Sequence, residues 1–113
     1  MTTVTFYRKN GIYKGFTCFG HADYAKKHFF HKEPDILCSA ISTLVFHTIN
    51  SLQELAGEKL AIDTQEETGF VKCDFVSELQ EKSIFLVDSF IFSLENIARE
   101  YGEQYLQVKY EEV

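Results

Sequence analysis

Residues 2–8 alternate, with Val4 and Phe6 set against Thr3, Thr5 and Tyr7, the period of a strand with one buried face. Lys9-Asn10-Gly11 supplies a turn, and Ile12–Phe19 reads as the return strand, so the chain opens on a β-hairpin. Gly15 and Gly20 weaken that second strand and mark a bend or a close backbone approach. A polar, histidine-rich and aromatic loop then fills residues 20–34. Asp35, after Pro34, stands where an N-cap belongs and opens a helix over residues 36–56, stopped by Gly57. At 100° per residue its apolar stripe is Cys38, Ile41, Leu44, Val45, Ile49, Leu52 and Leu55. Ser42 lies one turn beyond Cys38 on the same side, and His47 lies opposite, so His47 is excluded as a partner of Cys38.

Residues 60–63 and 70–75 form a second hairpin about the polar turn 65–69. Residues 78–101 read as a long helix with Leu79, Leu86, Phe90, Leu94, Ile97 and Tyr101 inward and Gly102 ending it. Phe85 and Phe92 fall on its polar side, the mark of a subunit interface that Phe46 of the first helix can join. Residues 104–110 close as a strand carrying Tyr105, Leu106, Val108 and Tyr110. The order ββ-α-ββ-α-β predicts an α+β fold, a mainly antiparallel sheet packed with two helices in one domain over residues 1–113.

Composition narrows the function. In 113 residues, 45% are hydrophobic and 15% aromatic, with eleven Phe and no Trp, so a packed core is expected. The net charge of −6 and the lack of a Lys/Arg block argue against direct nucleic-acid binding and suit a basic peptide partner. The cation–aromatic run at 26–32 can stack on single strands, but it is short and the chain is acidic. No uninterrupted apolar run approaches a membrane span, and the start has no export-signal pattern. Three Cys, an odd number, then read as reduced thiols in the cytoplasm.

The candidate chemistry clusters at the two ends of the loop. A thiol in the first turn of a helix feels the positive end of the dipole, which favours the attacking thiolate, so Cys38 is a candidate nucleophile. The rival reading makes it a small buried hydrophobe on a core stripe, the reading preferred for Cys18 and Cys73 within strands. His21, between Gly20 and Ala22, is a candidate base if the fold brings it to Cys38; the alternative is an exposed loop histidine. Asp35 either orients His21 or only caps the helix, and Ser42 either bonds near the sulfur or back to a carbonyl. Cys18-x-x-His21, His28-x-x-His31 and Cys38 offer a zinc alternative. Against it, Cys18 and His21 point to opposite strand faces unless the chain bends at Gly20, and no Cys-x-x-Cys pair exists, so neither metal nor cofactor is expected.

At Gly20-His21-Ala22 and Asp35-Ile36-Leu37-Cys38-Ser39-Ala40-Ile41-Ser42 the sequence resembles the ribosomal-processing cysteine proteases. The likeness extends over most of the chain, including the Gly69-Phe70 turn and the helix end at Ile97-Ala98-Arg99-Glu100-Tyr101. It implies a homodimeric cytoplasmic peptidase that removes an N-terminal extension from a large-subunit ribosomal protein. By position it implies His21 and Cys38 as catalytic residues, with Asp35 and Ser42 supporting. Such substrates carry aromatic residues before the cut, a match for a substrate loop bearing Tyr24, Phe29 and Phe30. That loop is longer here than the family's, lacks its glycine and ends in Pro34. The alternative on the same fold is a non-catalytic ribosome-associated or regulatory binding protein.

Overall fold

Period-two alternation and an Asn-Gly turn give β1 (Thr2–Lys9) and β2 (Ile12–Phe19), joined through Asn10 and Gly11 at φ 53° and 79°, the left-handed pair of a tight hairpin turn. The structure is a computed structural model and describes residues 1–21 and 36–113. Asp35, Tyr24, Phe29, Phe30, His28 and His31 lie outside the described residues. α1 (Ile36–Asn50) runs into one π-helical turn, Ser51–Leu55. β3 (Leu60–Gln65), β4 (Phe70–Phe75), α2 (Glu81–Tyr101) and β5 (Leu106–Glu112) complete the chain.

The five strands form one sheet in the order β3-β4-β2-β1-β5. Its pairings are antiparallel except β1 with β5, which run parallel because α2 carries the chain from one end of the sheet to the other. Both helices cover one face. Val4, Phe6, Phe16, Cys18, Val71, Cys73 and Phe75 of the sheet meet Leu37, Ile41, Val45 and Ile49 of α1 and Val87, Phe90 and Leu94 of α2. This is the expected α+β architecture, and β2, at the centre of the sheet, delivers its end to the first turn of α1.

Leu55, the start of α2 and Tyr101 differ from the sequence reading. Leu55 is 78% exposed instead of joining the core stripe. The π turn, closed by the Ala56 N–H on the Ser51 carbonyl at 3.0 Å, is wider than an α turn and rotates Leu55 outward while burying Ala56. α2 begins at Glu81, not residue 78, because Gln80 is extended (φ −69°, ψ 163°) and its N–H is bound by the Glu58 carboxylate at 3.1 Å. Leu79 is still buried, from outside the helix. Tyr101, at the last helical position before Gly102, is half-exposed and not part of the core.

The span Ile36–Leu55 has the length and apolar composition of a membrane-crossing helix. In the fold its buried residues, Leu37, Ile41, Val45, Ile49 and Leu52, are packed against the sheet and α2.

Candidate active site

Cys38 is the third residue of α1. The first N–H groups of a helix have no intrahelical acceptor, and together with the helix dipole they favour negative charge at its start. His21 leaves β2 just after Gly20, whose φ of +91° bends the chain. That bend overrides the alternation of the strand: Cys18 and His21, an odd number apart, both reach the same cleft. The His21 Nδ1 atom lies 3.7 Å from Cys38 Sγ, the outer range of a hydrogen bond to sulfur. On its other side His21 Nε2 is 3.4 Å from the main-chain carbonyl of Glu67, in the turn between β3 and β4. Cys38 packs against the edge of the core but is only partly buried, and His21 is exposed, so the nucleophile candidate is not sealed from a peptide.

The pair opens into a cleft of about 410 Å³. Cys38, Ser42 and Phe46, spaced by four, make a ridge along α1 into it, with Ile41 and Val45 beside them. Phe46, grouped by sequence with Phe85 and Phe92, thus lines the cleft. Thr64 and Gln65 at the end of β3 and Glu66 of the β3–β4 turn also line it. His47 is exposed and does not line the cleft. A larger hollow of about 650 Å³ lies between the end of α2 and β5, but its lining, which includes Glu95, Arg99 and Lys109, holds neither thiol nor imidazole. The smaller one holds both. Among the described residues no three His, Cys, Asp or Glu side chains are grouped to hold a metal.

The three thiols are sharply unlike one another. Burial, followed by the charge of Cys38, pushes Cys18 up to about 11. Burial, followed by Asp74, pushes Cys73 up to about 12. Both therefore stay protonated near neutrality, with a thiolate fraction on the order of 10⁻³ or less, and cannot act as nucleophiles there. Iodoacetamide on the native protein at about pH 7.5 is expected to label Cys38 alone, with Cys18 and Cys73 labelled only after unfolding; equal labelling of all three would contradict this assignment.

The raised values also set an alkaline limit. An unfolded thiol ionises near 9.0, below its folded value, so the stability these two confer is complete below about pH 9 and lost as pH climbs toward 11 and 12. Urea midpoints are expected to fall between about pH 8 and about pH 10.5. A flat profile is the contrary outcome.

A thiol and an imidazole within reach of each other at a helix N-terminus, in a cleft lined by apolar side chains, have the layout of a thiol hydrolase. The chain belongs to the family described as cysteine protease Prp, whose model matches residues 1–106. The ribosomal processing cysteine protease Prp of Bacillus subtilis is 31% identical over 88 residues, 74% of this chain and 74% of that one. An essential ribosomal processing protease Prp from S. aureus, solved with a covalently linked product peptide, shares the fold with a TM-score of 0.84 at 22% identity, covering 98% of this chain and 100% of that one. A Streptococcus mutans structure at 26% identity covers 100% of this chain and 96% of that one with a TM-score of 0.79. The protein is therefore a cysteine protease.

Proposed function

We propose that this protease removes an N-terminal extension from a large-subunit ribosomal protein in the cytoplasm, with Cys38 as nucleophile and His21 as base. The observation that carries the reading is the 3.7 Å approach of His21 Nδ1 to Cys38 Sγ inside the cleft. The B. subtilis relative is named for ribosomal processing, and the S. aureus protease has also been solved with a substrate peptide, at 21% identity and a TM-score of 0.83.

Nδ1 takes the thiol proton, and the thiolate adds to the scissile carbonyl. Main-chain N–H groups in the first turn of α1 are the candidate donors for the oxyanion. His21 then returns the proton to the leaving amine, and the peptide remains on Cys38 as a thioester. Water attacks that thioester as Nδ1 accepts its proton; the acid product leaves and the proton goes back to sulfur. Ser42, next along the ridge, supports the sulfur and its surroundings. The apolar ridge of Ile41, Val45 and Phe46 is suited to an aromatic side chain before the cut.

The same proposal includes a homodimer. Phe85 and Phe92 are 74% and 68% exposed on the outer face of α2, an apolar surface suited to a second copy. Sedimentation is expected to give twice the chain mass, and Phe85→Ser with Phe92→Ser to give monomers; a monomeric wild type refutes the dimer.

The substrate is tested with a peptide spanning the N-terminus of the host's own large-subunit ribosomal protein precursor. One cut, absent with Cys38→Ala, supports the reading. An uncut peptide in the presence of a reactive Cys38 contradicts the substrate, and an inert Cys38 contradicts its assignment as the nucleophile.

A further inference from the structure

A backbone carbonyl has no proton to give. The contact of His21 Nε2 with the Glu67 carbonyl at 3.4 Å therefore puts the hydrogen on Nε2, and the neutral ring presents a bare Nδ1 to Cys38 Sγ. A base that accepts the thiol proton needs that tautomer.

The turn carrying this carbonyl is locked to the end of β2. The Gly20 N–H donates to the Thr68 carbonyl at 3.1 Å, and the Gly69 N–H donates to the Glu66 carbonyl at 3.2 Å. Gly69 has φ +66°, and a Cβ on it would lie 2.6 Å from the Gly20 oxygen and 3.2 Å from His21 Cε1. Any side chain there pushes on the backbone just before His21 and on the ring itself.

We infer that the β3–β4 turn is the orienting third member of the site: the Glu67 main-chain carbonyl fixes the Nε2–H tautomer of His21, and Gly69 is the positioning residue that lets the turn close on it. The inference rests on Cys38 and His21 being the catalytic pair. It gives a main-chain atom the task that a carboxylate has in triads.

Gly57 provides the matched control. Its φ is +69°, and a Cβ on it would meet nothing within 4 Å, so Gly57→Ala carries the same backbone strain without the clash. Gly69→Ala is expected to lower kcat roughly tenfold to a hundredfold while KM stays within about twofold. Gly57→Ala leaves both near wild type, and thermal unfolding of the two variants shows whether each is folded.

Nitrogen-15 NMR of His21 in a Cys38→Ala background reads the tautomer without any substrate. The inference expects Nε2–H with Gly69 intact and a mixture of the two forms with Gly69→Ala. The Nδ1–H form with Gly69 intact overturns it, whether or not Gly69→Ala folds. So does a Gly69→Ala enzyme no slower than Gly57→Ala. If the ribosomal peptide is not cut by wild type, the proposed substrate fails on its own, and the same comparison is read from the rate of Cys38 alkylation together with the tautomer.

Discussion

Cys38→Ala is expected to leave a folded protein whose peptide hydrolysis is lower by roughly 10⁵-fold or more, the loss typical of deleting a nucleophile. His21→Ala is expected to lose roughly 10²- to 10⁴-fold, the share of a general base. The double variant should be no worse than Cys38→Ala alone, because a base with no nucleophile to activate contributes nothing. None of these losses arises from unfolding. Cys38 is half-buried at the mouth of a cleft and His21 is exposed, so each substitution should cost under about 1 kcal/mol. Cleavage rates and thermal unfolding measured on the same preparations separate the two effects. Cys38→Ala retaining even a hundredth of the activity would contradict the assignment.

The largest effect on stability is expected from Phe16→Ala. Phe16 is fully buried on the central strand and is ringed by aromatics, with centroids 5.8 Å from Phe6, 6.3 Å from Phe75 and 5.2 Å from Phe90. Its removal leaves a cavity where α2 meets the sheet and breaks edge-on ring contacts, a loss of about 3–5 kcal/mol. A domain of this size has about 5–15 kcal/mol in total, so Tm should fall by roughly 15 °C or more. Phe19→Ala, on a half-exposed ring with an edge-on contact to Phe70 at 6.4 Å, should cost about 1 kcal/mol or less. Similar losses at the two positions would place the core elsewhere.

These two sites also show what the sequence could and could not convey. Val4 and Phe6 declare their burial through period-two alternation, and Ile41, Val45 and Ile49 through helical spacing, because both patterns are local. The start of α2 is not local: it depends on Glu58, twenty-two residues before Gln80, reaching the Gln80 N–H. Leu55 likewise depends on a π turn that a 100° projection does not contain. Phe46, like Phe85 and Phe92, is exposed on its helix, which is why sequence placed it with those two although it borders the cleft.

At the site, His21 and Cys38 were legible as residue types in suggestive places, and more firmly through the family resemblance. Their meeting was not, because it requires Gly20 to bend the end of β2 across to α1. The part played by the β3–β4 turn was invisible. Glu67 takes part through a main-chain atom that every residue possesses, and Gly69 through a clash with Gly20, forty-nine residues earlier. The one available signal was the glycine ending the polar turn, which announced a positive φ without saying what the turn would touch.

The most direct test of the central claim is to stop the enzyme in mid-reaction with acid and find the acyl group by mass spectrometry. An activated ester of the substrate peptide serves as the slow-turnover probe. The account predicts one acyl adduct per chain, on the tryptic fragment containing Cys38, removed by hydroxylamine and absent from Cys38→Ala. Acylation at any other residue, or hydrolysis that survives Cys38→Ala, would contradict it.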